Sequence, residues 1–438
     1  MRTLAALLFC ASLPVALHAT EADPPLPYAA DAKHLGVVNC ASSLCHGSIT
    51  PWKGSNVLQT EYVTWSRVDK HASRAYAVLF EERSQRIARN LGIKEPAQDA
   101  KLCLDCHADN PPPAQRGERF KVADGVGCEA CHGPSENWIR PHVAPGATHQ
   151  DNLARGLYPT SDPLAQARLC LSCHFGNKDK IVTHRMMGAG HPRMPFELDT
   201  FTQTEPPHFV IDADWQRRKR TWDGVRVWAI GQAIVAQELI DVLLDPKRSH
   251  DGLFPELVVF DCHACHHPMS NVRWTPRQGV GPGRIRFNDA NLLMLRQIVR
   301  QVLPAEEKEY NEQVSALYKA VAGEGGDTKE AATKLRAGLE RLIGRLAETS
   351  FGSKDLRGML SGLVDDGLAG EYSDYAGAEQ ATMAIGSVLN FLAKRGELKQ
   401  VRSANAALDR LHAELKNDET FRPERFRAAL EGVGKTVR

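Results

Sequence analysis

The chain has 438 residues, a length that suits two or three domains of about 100–200 residues each. Hydrophobic residues make up 42% and charged residues 24%, which excludes a disordered or fibrous chain. Lys and Arg number 54 against 53 Asp and Glu, so nucleic-acid binding driven by bulk positive charge is excluded as well.

MRTLAALLFCASLPVALHA opens the chain with one early Arg, an apolar stretch from Leu4 to Leu17 and a small residue at Ala19. This pattern predicts a secretory signal peptide over 1–19, cleaved after Ala19 and taking Cys10 with it. The run is too short for a membrane anchor, and Pro14 interrupts it. Residues 23–34 are rich in Pro and Ala and read as loose. CASSLCH follows at 40–46. A helix is expected from Glu61 to Leu91, bearing Trp65, His71, Tyr76 and Leu79. CLDCH occupies 103–107, and ADNPPPAQRGERF at 108–120 is a breaker segment. CEACH lies at 128–132 and CLSCH at 170–174. A second helix is expected from Trp222 to Leu244. Its apolar stretch 225–244 carries Arg226, Gln232, Gln237, Glu238 and Asp241, so it reads as a buried amphipathic helix and not a membrane span. CHACH occupies 262–266, and VGPGRIRFND at 280–289 closes this region.

The remaining 150 or so residues have no Cys and one His. Leu292, Leu295, Val299 and Val302 form one helical face, ended by Pro304. Tyr310, Val314, Leu317 and Val321 form another, and Leu335, Leu339, Leu342 and Leu346 a third. Further helices are expected near 354–369, 375–395, 398–416 and 422–432, with breaks at Gly370, Gly396 and Pro423. These patterns predict an antiparallel α-helical bundle over 286–438.

Ten cysteines follow the leader: Cys40, Cys45, Cys103, Cys106, Cys128, Cys131, Cys170, Cys173, Cys262 and Cys265. An exported chain would ordinarily form disulfides. Here every cysteine belongs to a close pair, and a histidine follows every pair: His46, His107, His132, His174 and His266. With 17 histidines in the chain, chance places five there with a probability of about 10⁻⁷. C-x-x-C-H is the attachment signature of c-type haem. Two thiols add across the two vinyl groups on one porphyrin edge, and the adjacent imidazole falls beneath the iron as proximal ligand. A zinc ribbon does not require a His after each pair, and thioredoxin-like chemistry uses one pair, not five. The first motif has four intervening residues, so its spacer must bulge away from the haem edge. The cofactor expectation is five covalently attached haem c groups. Their propionates would make the loaded protein acidic and favour a basic partner surface. The predicted fold class is mainly α: a loop-rich multihaem cytochrome c domain over 35–285, its core supplied largely by macrocycles, followed by the bundle.

Five six-coordinate irons need five further ligands. The histidines left over are His34, His71, His142, His149, His184, His191, His208, His250, His263, His267 and His412. His263 lies inside the CHACH loop and cannot easily turn to its own iron. His267 directly follows a proximal His, and His412 lies far downstream. Met186, Met187, Met194 and Met269 are the alternative ligands. Histidine outnumbers them, so bis-His, low-potential sites are expected.

The order CASSLCH, WSRVDKHASRAY, CLDCH, GVGCEACHGP, RPH and CLSCH resembles the cytochrome c-554 family, tetrahaem electron carriers of ammonia oxidisers. The similarity covers about residues 36–200, and GVGCEACHGP is its most specific piece. It implies closely packed haem pairs, with His71 as distal ligand to the iron of His174 and His142 to that of His46. It implies His184 or His191 for the iron of His132, and an open face on the haem held by His107. The four-residue spacer, the fifth motif and the bundle depart from the family pattern.

These readings predict a periplasmic electron carrier, with an extracellular or envelope-associated setting as a variant. Redox proteins are its expected partners, including a membrane-bound or outer-envelope complex docked through the bundle, with no nucleic acid and no transmembrane segment. The rival is a reductase or oxidoreductase of a small nitrogen or sulfur compound at a five-coordinate haem, flanked by Asp105, Asp109 and Arg116.

Overall fold

The computed structural model describes residues 24–219, 224–266 and 284–437; the predicted leader over 1–19, His267 and Met269 lie outside them. Up to residue 219 the helices are short: α1 (Glu61–Val68), α2 (Ser73–Ala77), α3 (Glu82–Asn90), α4 (Lys101–His107), α5 (Cys128–His132), α6 (His149–Ala154), α7 (Pro163–His174), α8 (His184–Gly188), α9 (Leu198–Thr204) and α10 (Ala213–Arg218). The single helix expected over 61–91 is three helices. Asp69 and Glu81 adopt extended backbone at the two breaks. Asp69 Oδ1 accepts the N–H of His71 at 2.8 Å, so its side chain offers the backbone an alternative to the helical ladder. The break frees His71 from a helix surface. The Pro-rich stretch 108–120 holds one short 3₁₀ turn, Pro113–Gln115.

The second half is long helices: α11 (Gly224–Leu244), α12 (Ala290–Val302), α13 (Glu307–Val321), α14 (Thr328–Glu348), α15 (Ser353–Leu368), α16 (Tyr375–Lys394), α17 (Val401–Glu414) and α18 (Pro423–Val437). A hairpin of two short antiparallel strands, β1 (His250–Asp251) and β2 (Phe254–Pro255), lies between α11 and α12. Asp327 and Asp374 cap α14 and α16 by accepting backbone N–H groups.

α11 is the hub. It packs against α14, α12 and α16 of the bundle, and against α7 and α9 of the motif-bearing half. Trp228, Ala229 and Ile230 are fully buried in sequence, so this helix is covered on all sides and not along one stripe. Two of its polar residues find partners on neighbouring helices: Gln232 bonds the buried Gln380 at 3.0 Å, and Gln237 bonds Glu340 at the surface at 2.5 Å. One apolar core runs from Ala167 and Leu171 of α7 and Leu198 of α9 through α11 into the bundle. The motif-bearing half otherwise has a small core of Leu79, Ala88, Ala97, Leu104 and Ala108. So small an apolar core leaves that half short of the buried surface a domain of its size needs.

Candidate metal centres

The five motifs are built locally. α4 sets Cys103, Cys106 and His107 three and four residues apart, on one helical face. CEACH is α5 itself, CLSCH is the last turn of α7, and CHACH begins on a 3₁₀ turn, Cys262–Ala264. CASSLCH is not helical. Cys45 N and Gly47 N both bond Ser42 O, and His46 N returns to Cys40 O at 3.1 Å. The two extra residues loop outward, with Leu44 76% exposed, and His46 comes back beside Cys40. No disulfide joins any two of the ten cysteines. Cys40 lies beside Cys128 and Cys106 beside Cys173, so the first motif meets the third and the second meets the fourth. Cys106 and the Lys180 ammonium, 3.1 Å from Sγ, hold the Cys173 thiol well below its ordinary range. Gly125, at φ +79°, lets the third motif approach the His71 segment: a Cβ there would lie 2.1 Å from Ala72 O, and Val126 N bonds His71 O at 2.8 Å.

Each motif histidine faces a second histidine. Ring centroids are 6.4 Å apart for His46 and His142, 5.7 Å for His174 and His71, 6.5 Å for His107 and His191, 6.3 Å for His132 and His208, and 6.2 Å for His266 and His184. A metal bonded to one nitrogen of each of two opposed imidazoles sets their centroids about 6 Å apart, from bonds of about 2 Å and about 1 Å from each nitrogen to its ring centre. The four spacings of 6.2–6.5 Å fit an iron between the pair. His71 Nε2 and His174 Nε2 are 3.4 Å apart, so this tightest pair must open by about half an ångström to admit one.

The other ring nitrogen is tethered in several of them. Nδ1 of His46 lies 3.0 Å from Glu61, that of His71 3.0 Å from Asp69, and that of His107 2.9 Å from Ala75 O. Nδ1 of His142 lies 2.5 Å from Ile139 O and that of His191 2.8 Å from Pro192 O. Metal-ligating histidines characteristically donate their second N–H to a carboxylate or carbonyl, which fixes the tautomer and the ring rotation. Burial, then His208 and Lys219, pushes His132 down to about 3; burial, then His71 and His107, pushes His174 down to about 4. Both are therefore neutral imidazoles at neutral pH, the metal-binding form.

His208, three residues after Glu205, sits opposite His132, where His184 or His191 was expected; those two instead face His266 and His107. The segment after α7 is long enough for any of the three to reach, and no local motif in EPPHFV marks His208. His191 faces His107, the histidine for whose haem the family resemblance implied an open face. His34 is fully buried and faces no motif histidine. Its Nδ1 bonds Asp109 at 2.8 Å and its Nε2 lies 3.3 Å from Pro27 O, while Glu129 accepts the N–H groups of Leu35, Gly36 and Ser135. That cluster pins the 27–36 segment to the third motif.

A family model described as cytochrome c554 and c-prime matches residues 39–133. That stretch is similar to a haem-binding cytochrome domain, and it spans the first three motifs. No curated protein and no solved structure matches the chain. A cytochrome c554-like domain joined to a helical bundle is consistent with an electron-transfer protein, and the similarity points to covalent haem c.

Proposed function

We propose that the chain is a pentahaem c-type cytochrome that passes single electrons between redox proteins. Haem c supplies one-electron chemistry when bound. The cysteine pairs from Cys40 and Cys45 to Cys262 and Cys265 hold it. His46, His107, His132, His174 and His266 serve as proximal ligands, with His142, His191, His208, His71 and His184 as their respective distal ligands. One observation carries this reading: every motif histidine has another imidazole opposed at 5.7–6.5 Å. Bis-His ligation, without Met, gives low potentials. The carboxylates of Glu61 and Asp69 raise the basicity of His46 and His71 and push in the same direction.

The enzyme reading needs an exchangeable coordination position. His191 stands where the resemblance implied one, which favours the carrier. The signal-like sequence over 1–19 supports a periplasmic or envelope setting, where redox proteins are the partners. A pyridine haemochrome assay with intact-mass measurement tests the haem reading. Five haem additions per chain are expected; four or fewer would overturn the pentahaem assignment, starting with CASSLCH.

A further inference from the structure

The fifth motif is fastened to the chain that opens the bundle and to the bundle itself. Phe260 and Phe287 form an antiparallel bridge. Asp261 N bonds Arg286 O, and Asn288 N bonds Val259 O, each at 2.9 Å, immediately before α12 begins. Asp261 Oδ1 accepts the N–H of His263 at 2.9 Å and so caps the 3₁₀ turn that carries the motif. Its other oxygen lies 3.1 Å from Arg286 Nη2, and the same nitrogen lies 3.0 Å from Asp374 Oδ2. Asp374 is the N-cap of α16 and accepts the N–H of Gly377 at 2.7 Å. All three charged side chains are buried, at 4–6% exposure. Inside the motif, the His263 ring lies edge-on to Phe421, centroids 5.8 Å apart, in the aromatic cluster with Tyr375 and Phe426. Arg193, two residues after His191, pairs with Glu379 of the same helix α16 at 2.9 Å. Asp261, Arg193 and Asp374 all act electrostatically on Cys262.

We propose that the bundle sets the placement and charge environment of the fifth haem through the buried chain Asp261–Arg286–Asp374, with Arg286 as its positioning residue. This rests on the pentahaem reading and adds to it a role for the C-terminal half. Two carboxylates share one guanidinium beside this motif. Interior charges are weakly screened, so removing any one of them changes the field at the nearby iron. Taking away a negative charge disfavours the oxidised state, and taking away the positive charge favours it.

Spectroelectrochemical titration of the full-length holoprotein tests this with two variants. Asp374→Asn keeps the N-cap and the Asp261–Arg286 pair, since Asn caps as well as Asp. It is expected to raise one of five midpoint potentials and leave four in place. Arg286→Met is expected to lower that same potential. A mere loss of packing would not move the potential in opposite directions in the two variants. Should Arg286→Met not accumulate, Asp374→Asn decides alone. Five unmoved potentials in Asp374→Asn, a downward shift, or a shift spread over all five overturns the inference. An intact mass with fewer than five haems in the unsubstituted protein would instead count against the pentahaem reading, whatever the potentials do.

Discussion

His191→Ala removes the imidazole opposite His107 and nothing else of consequence to the fold. The side chain is half-buried, its Nδ1 bonds only the carbonyl of the next residue, and the backbone bond from His191 N to Met186 O survives the substitution. The stability loss should stay within about 1–2 kcal/mol. With the 6.5 Å pair broken, no other ring among the described residues is opposed to that of His107, and the other four motif histidines keep their own partners. One iron in five thus becomes high-spin and open, so about 20% of the haem should bind CO in the reduced protein, against essentially none before substitution. EPR of the oxidised form and a CO-difference spectrum of the reduced form read this directly. His412→Ala, in an exposed position of α17, is the control and should leave both spectra unchanged. A His191→Ala protein that stays fully low-spin and binds no CO would refute the His107–His191 pairing, and with it the argument that ring spacing identifies axial ligands.

His208→Ala and His184→Ala should each open one further iron, on His132 and His266, to the same one-fifth extent, measured by the same CO titration; a silent His208→Ala would return His132 to an unassigned ligand. Glu238, half-buried on α11, has its carboxyl pushed up to about 7 by burial and then by Asp241. Its folded pKa exceeds the unfolded value, so its contribution is fully present below about pH 4.5 and lost as pH rises through 7. Glu238→Gln should therefore flatten the stability loss between pH 4.5 and 7.5 by roughly 1–3 kcal/mol in urea titrations; an unchanged slope would contradict it. Leu363 of α15 is fully buried in the shared core, and Leu363→Ala should cost about 3 kcal/mol in chemical denaturation with the haem count unchanged. A cost below about 1 kcal/mol would mean that this core is loosely packed.

Much of the site was legible because attachment chemistry is local. A cysteine pair and its histidine sit within a turn or two, so spacing alone marks them. The histidines opposed to the motif histidines come from remote segments, and only the resemblance suggested particular pairs: His71 and His142 do face His174 and His46. His208 was missed and the places of His184 and His191 were not resolved, because which of three histidines on one irregular segment reaches which motif depends on where α8 and α9 pack. The bundle followed from its apolar periodicity: Leu335, Leu339, Leu342 and Leu346 are all buried on α14. The 61–91 helix was over-extended because its composition is helical and the break at Asp69 depends on a side-chain bond to the His71 backbone. α11 reads as a stripe in sequence, yet it is surrounded. Its glutamines Gln232 and Gln237 bond Gln380 and Glu340 from other helices, partners that the local pattern does not name.

The most direct test of the whole account is the spin state of every iron in the oxidised, full-length holoprotein, quantified by EPR and near-infrared magnetic circular dichroism against total iron. Five low-spin, bis-imidazole irons per chain are expected. A stoichiometric high-spin iron, or a near-infrared band of methionine ligation, would contradict it.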